Sequence, residues 1–514
     1  MRNPAAAARL LAELRSADSV AALADLGAWL RELAHLTDRD DAVHAEILAL
    51  VQEAGDPHAA RLMAGYTVRP DRKQAARPAW QPVDTYLTNS LQVLNESAAS
   101  LLERAASDAS HRPAAAAAAA RTLHACRMLA KACLLRYARV PADAWRTAYA
   151  VHRLAESSGC SILPVRLHAG HRTTTTANQE LLRLLMLQCS APEMVPPAQI
   201  EVADWVTEQL GGDFTLRPPG TTDNPFCFDG SGEAPPQRSA QADPALRYFG
   251  PGMAYEALQR MYGQASAAGG GDAKDKAAED KGRDVRLSAL QHLLAFWGEK
   301  APYTPPERTE AAGEVRVIHG YSQAWQQLSS AGKNLSELTL AEDGDVPLEA
   351  PEKWTLLDKG GSELGLHIPQ PSSDCVRCGD VVALATDFGE GWWLGLVRSM
   401  RAPTTGAGMD ATVHVISQHP QALQARTVVE EAEERGVTEH AARQFSYAME
   451  RVIVVSDGST TSQPANVLLP PASWRAGGKL EVAISGVQRH LRCVRMLRRG
   501  EDYVRATFDW ADSA

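Results

Sequence analysis

The spacing of apolar residues changes once along this chain, and the change limits what it can fold into. Up to about residue 215 the apolar side chains recur every three or four positions, and after residue 312 they alternate. The first spacing buries one stripe of a helix and the second buries one face of a strand, so the two parts need different layers. "AAAARLLAELRSADSVAALADLGAWLRELAHL" opens the helical part, and "DDAVHAEILALVQEAG" predicts a helix ending at Gly55. After a proline-broken stretch at residues 69–84, helices are predicted in "LTNSLQVLNESAASLLERAAS", "AAAAAAARTLHACRMLAKACLLRYARV", "DAWRTAYAVHRLAES" and "NQELLRLLMLQCS". Ala114 to Ala120 favour helix and permit close packing. With no regular period, residues 1–215 read as an all-helical bundle or short solenoid.

Residues 216–309 read as an irregular connection. It holds short strands among turns, a flexible linker in "YGQASAAGGGDAKDKAAEDKGRD", and a helix over 285–300. The segments "GEVRVIHGY", "WTLLD", "LGLHIP", "DVVALAT", "WWLGLVRSM" and "DATVHVIS" then predict about six strands and a small antiparallel barrel over 310–420. "YSQAWQQLSSAGKNLSEL" adds a helix across one opening of that barrel. Residues 421–448 read as a charged helical insertion, and 449–514 as a second β-domain or an extension of the barrel. The fold class is multidomain α+β: a helical module, then an antiparallel barrel, then a further β region.

With 514 residues, 45% of them hydrophobic, the chain can bury several cores. Its 52 basic and 62 acidic residues give a net charge of -10, which argues against an extended nucleic-acid surface. Eight cysteines do not make a disulfide framework, and Cys126, Cys133 and Cys189 read as buried thiols. The opening residues lack the apolar segment of a signal peptide and no run of 18 apolar residues follows, so a cytoplasmic protein without a membrane span is expected.

Chemical motifs are sparse. Cys375 and Cys378 form a lone pair before a strand and read as turn residues. His319, His414 and His419 have no diagnostic ligand spacing. His168 and His171 stand beside Thr173 to Thr176, where helix capping accounts for the threonines. No phosphate loop, zinc-protease helix or nucleophile elbow is present, so no catalytic residue, metal or cofactor is assigned and no enzyme is expected. Arg489, Arg492, Arg495, Arg498, Arg499 and Arg505 form a basic segment interrupted by Glu501 and Asp502, as expected of the exposed side of a β-hairpin. Trp392 and Trp393 should point to opposite faces of a strand.

The order "WTLLDKGGSELGLHIP … VRCGDVVALATDFGEGWWLGLVRSM" resembles the PilZ domain family. Trp354 stands on the strand entering the family's ligand turn, and Ser362 and Gly365 match the last two fixed positions of its Asp/Asn-x-Ser-x-x-Gly signature. The resemblance also takes in Cys378-Gly379-Asp380 and the Trp/Gly-rich strand from Gly391 to Arg398. It implies a barrel that binds cyclic di-GMP between an arginine segment before the first strand and that turn. On this chain the implied contacts are Arg308, Asp358, Ser362 and Gly365, with Arg398 as a phosphate-facing supplement. Arginine suits phosphates and guanine edges alike. Two departures stand out: Gly360 occupies the Asp/Asn position, and Ala312 stands where a second arginine would follow Arg308. Two functions are therefore carried forward. One is a signalling regulator or adaptor that senses cyclic di-GMP and engages a protein partner through its helical module. The other is a nucleotide-independent protein scaffold with a degenerate site.

Overall fold

The computed structural model describes residues 3–35, 40–68, 80–168, 173–267, 276–330, 348–370, 375–387, 391–403, 405–428, 449–455, 464–475, 477–484 and 487–511. The chain divides into two units, Met1–Thr304 and Pro305–Ala514. No helix among the described residues is long and apolar enough to cross a membrane.

The first unit opens with eight helices: α1 (Pro4–Leu14), α2 (Ser19–Ala34), α3 (Asp41–Thr67), α4 (Trp80–Ser107), α5 (Arg112–Leu134), α6 (Ala142–Ser157), α7 (Ala177–Gln188) and α8 (Pro197–Leu210). Strands β1 (Thr215–Leu216), β2 (Phe226–Phe228), β3 (Gln237–Arg238) and β4 (Arg247–Gly250) form a small antiparallel sheet in the order β1-β4-β2-β3. Helices α9 (Ala254–Ala267) and α10 (Lys276–Trp297) follow. The expected linker is thus helical on both sides, and residues 268–275 lie outside the described residues.

Local sequence explains the helix starts. Asp18 accepts from the backbone N–H of Val20 and Ala21, and Asp40 does the same for Ala42 and Val43. Helix α3 does not end at Gly55. It continues to Thr67 with Pro57 inside it. The Tyr86 ring packs so close to Gly55 that a Cβ there would meet the ring at 2.4 Å. Burial of Met63 and Tyr66 in the common core holds the turns beyond Pro57 helical, against the local preference. Helix α5 is the centre of the unit, buried on nearly every side from Ala115 to Leu134 and packed on α4, α6, α7 and α8. Cys126 and Cys133 are buried, as expected, while Cys189 is half-buried at the end of α7, and burial pushes the Cys133 thiol up to about 11.

This helix also brings charge into the core. Arg127 and Lys131 pair with Asp204 of α8, with Lys131 Nζ 2.9 Å from Asp204 Oδ2. One turn earlier, His124 stands between Asp56 of α3 and Glu180 of α7, 3.4 Å from each carboxylate. Burial works against charge on all three groups. Even so, the flanking imidazoles of His124 and His168 hold the Asp56 carboxyl at about 2. The two carboxylates in turn raise His124 to about 9.

The second unit contains two closed six-stranded antiparallel barrels. The first is built from β5 (Thr309–His319), β6 (Glu352–Gly360), β7 (Glu363–Ile368), β8 (Val381–Thr386), β9 (Trp393–Arg401) and β10 (Met409–Ser417). Its strand order is β10-β7-β6-β5-β8-β9. Each of its strands was legible in the sequence, and Trp354, Leu356, Leu366 and Val413 are buried. The second barrel is built from β11 (Gln421–Val428), β12 (Met449–Val454), β13 (Ala465–Leu469), β14 (Lys479–Ile484), β15 (Val487–Arg499) and β16 (Val504–Ala511). Its strand order is β11-β12-β13-β16-β15-β14. The C-terminal region is therefore a barrel of its own. Residues 421–428, expected as the start of a charged insertion, supply one of its strands, and 429–448 lie outside the described residues.

Helix α11 (Tyr321–Ser330) packs between the two barrels, where the sequence had placed it across an opening of the first. Trp325 Nε1 donates to the carbonyls of Leu423 (3.0 Å) and Val452 (3.2 Å), and the Tyr321 backbone N–H donates to Asp502 Oδ2 (2.8 Å). Tyr503 Oη donates to Gly379 O at 3.0 Å, joining the second barrel to the turn before β8. Ile318, Val381, Leu394, Leu396, Ile453 and Leu468 form the apolar layer shared by both barrels.

Candidate functional site

The hairpin between β6 and β7 is a two-residue turn, because Gly360 pairs in register with Glu363 and leaves Gly361 and Ser362 as the loop. Gly361 has a φ of +57°, which a tight hairpin needs at its first loop position. Gly360 has a different reason. The incoming chain crosses over it so closely that a Cβ would lie 2.3 Å from Glu307 O and 3.2 Å from Arg308 Cα. An Asp or Asn cannot stand there while this crossing holds. The absent side chain is thus the space through which Arg308 reaches the hairpin.

Two β-bulges then gather the charged groups. Leu357 is an extra residue opposite β7, so Asp358 comes to face Gly365. The Asp358 carboxylate occupies the space of a side chain at Gly365, where a Cβ would lie 2.4 Å from Oδ1. Arg398 is the extra residue of β9 opposite β10, between the pairs Thr412–Ser399 and Val413–Val397. Its Nη1 donates to Glu363 Oε1 at 2.7 Å. Arg308 donates from Nη1 to Asp358 Oδ1 (3.1 Å) and from Nη2 to Glu363 Oε2 (2.9 Å) and Thr412 Oγ1 (3.1 Å). Glu363 is buried, its side chain 2% exposed, while the two arginine side chains are 26% and 30% exposed.

Four of the five residues singled out from sequence therefore meet on one face: Arg308, Asp358, Gly365 and Arg398. Ser362 lies at the exposed tip of the same hairpin, its Oγ 3.1 Å from His414 Nδ1. Burial, and then the charge of Arg398, lower the pKa of His414, so its ring is neutral near pH 7 and can accept the Ser362 proton at Nδ1. Sequence reading missed Glu363, Thr412 and His414 as part of this group. Glu363 lies inside the Ser-x-x-Gly stretch, at a position where that signature fixes no residue type. Thr412 and His414 lie on β10, and only barrel closure brings them near. Two arginines and two carboxylates make a face of no net charge that presents guanidinium groups beside an exposed hydroxyl. Such a face can take a phosphate on the exposed guanidinium edges or by exchanging a carboxylate partner for it.

The remaining sequence candidates lie elsewhere. Arg316 is exposed on β5, its guanidinium 5.7 Å from the Trp392 ring centre. Trp393 is buried and Trp392 half-buried, the alternation expected of them. Cys375 is half-buried and Cys378 buried at the β8 turn, and Asp380 Oδ2 accepts from the Arg377 backbone N–H (2.9 Å) to shape that turn. Arg492, Arg495 and Arg498 are exposed on the β15–β16 hairpin, as the spacing had indicated, whereas Arg489, Arg499 and Arg505 are half-buried. Thr176 caps α7 by accepting from the Gln179 backbone N–H (3.1 Å), and His171 lies outside the described residues.

Residues 5–220 match the family model described as cyclic-di-GMP receptor FimW, N-terminal domain. The matched span covers α1 to α8 and β1, and ends before either barrel. No curated protein and no solved structure matches the chain.

Proposed function

We propose that this chain is a cyclic di-GMP-responsive signalling regulator of the cytoplasm, a binding protein and not an enzyme. On this reading the first barrel is PilZ-like and takes the nucleotide at Arg308, Asp358, Ser362, Gly365 and Arg398, and the helical unit engages a protein partner. The carrying observation is the approach of Arg308 and Arg398 from opposite sides to one carboxylate inside the hairpin turn. The likeness of residues 5–220 to a cyclic-di-GMP receptor domain supports the same ligand from an independent part of the chain. A nucleotide phosphate would replace Glu363 or Asp358 on the guanidinium groups, and Ser362 and His414 would meet a base or ribose edge. The bulged strands hold the two arginines in place before the nucleotide arrives.

One observation favours the second reading, a scaffold that binds no nucleotide: the chain's own carboxylates already neutralise both arginines. Calorimetric titration of the full chain with cyclic di-GMP separates the two. The sensor reading expects saturable binding that Arg308→Ala abolishes and Ser362→Ala weakens about tenfold or more, a loss of about 1.4 kcal/mol. No saturable heat at high micromolar nucleotide would sink the sensor reading, and the scaffold would then be tested by recovering a partner whose association is lost on deleting the helical module.

A further inference from the structure

Three side chains from separate parts of the helical unit meet at a point that has no role in the nucleotide reading. Asp56 comes from α3, His124 from α5, and His168 from the connection between α6 and α7. Asp56 Oδ2 lies 3.4 Å from His124 Nε2 and 3.3 Å from His168 Nε2. One ligand atom from each residue lies within 4.8 Å of the other two. At 3.4 and 3.3 Å these separations are longer than the roughly 2.7–2.9 Å of a strong charge-assisted hydrogen bond. They fit instead the edge of a tetrahedron around an ion bonded at about 2.0–2.1 Å, which is about 3.3–3.4 Å. Asp56 Oδ2 is buried, faces both imidazoles and accepts no short hydrogen bond among the described residues, as a carboxylate oxygen shared with a cation would.

We propose that Asp56, His124 and His168 bind one divalent transition-metal ion of the zinc type. Two imidazole nitrogens and one carboxylate suit zinc, whereas magnesium and calcium need a larger set of oxygen ligands. The groups behind the ligands agree with this assignment. Glu180 Oε2 stands 3.4 Å from His124 Nδ1, so the ring can turn Nε2 toward the ion. Tyr86 Oη donates to the other Asp56 oxygen at 3.0 Å, and Thr175 Oγ1 donates to Glu180 Oε1 at 2.8 Å. The ion ties α3 and α5 to the α6–α7 connection, and its binding energy adds to the stability of the helical unit.

The test uses the full chain, stripped with a chelator and titrated with Zn2+ alone and with Co2+ alone. One equivalent of either ion should bind. Cobalt should show the intense visible bands of a four-coordinate site, and zinc should raise the melting temperature. Asp56→Asn and His168→Gln should each remove these effects. Glu180→Gln, which weakens the support behind His124 and also the pairing with Arg183, should lower metal affinity about 10–100-fold without removing the ligand set. His168 is partly accessible, so His168→Gln should melt like the metal-free parent, which separates a lost ligand from a misfolded chain. Any of three results overturns the assignment: no binding by the stripped parent chain, binding that survives His168→Gln, or a cobalt spectrum with thiolate charge-transfer bands.

Discussion

At Glu363 one buried carboxylate serves two guanidinium groups, and removing it leaves Arg308 and Arg398 without their shared counter-ion. Glu363→Ala should therefore cost about 1.5–3 kcal/mol in urea unfolding of the full chain, since two charge-assisted bonds are lost while both arginines keep some solvent and Arg308 keeps Asp358. Glu363→Gln keeps the shape and should cost less; equal losses would contradict this account of the pair. A second residue-scale expectation concerns pH. The folded pKa of His414 lies below 6.5, so the native state favours the neutral ring. That contribution is complete above the unfolded value of about 6.5 and is lost as pH falls through the folded pKa. Burial, Arg398 and Arg505 lower that pKa, and Glu363 opposes them. Melting curves between neutral and mildly acidic pH should fall more steeply for the parent chain than for His414→Gln; parallel curves would contradict it. Ser362 and Gly365 were legible because a signature fixes them. Glu363 was not, because its meaning comes from partners at positions 308 and 398 that only the fold brings near.

Among the elements, the strands of both barrels could be read either from alternation, as in "KWTLL" and "ATVHV", or from short apolar runs bounded by turn residues, as in "VVALAT" and "ANVLL". Strand β11 escaped because its partners β12 and β14 lie far along the chain, and the charged run after it dominates the local pattern. The run beyond Gly55 escaped for the opposite reason, since Gly-Asp-Pro reads as a stop and tertiary packing overrides it. Helix α11 was found but its neighbours were not, because one helical face cannot say which of two barrels it covers. Its Trp325 is buried in the layer between them. Trp325→Ala should destabilise the C-terminal unit by about 3–5 kcal/mol, followed by chemical unfolding of the full chain. Tyr503→Phe, which removes only the bond to Gly379, should cost about 1 kcal/mol, and a larger loss from Tyr503→Phe than from Trp325→Ala would reverse the assigned roles.

At the scale of the whole molecule, the chain joins a helical unit that is similar to a receptor domain to a double barrel whose hairpin collects two arginines. The change in periodicity near residue 312 made that division readable, and it falls between Thr304 and Pro305. The two lines of support for cyclic di-GMP come from different units, so the location of the ligand is the central claim. Hydrogen–deuterium exchange of the full chain with and without cyclic di-GMP tests it directly. Slower exchange is expected in the backbone amides around Arg308 and from Asp358 to Gly365. Protection confined to residues 5–220, or no protection at saturating nucleotide, would contradict it.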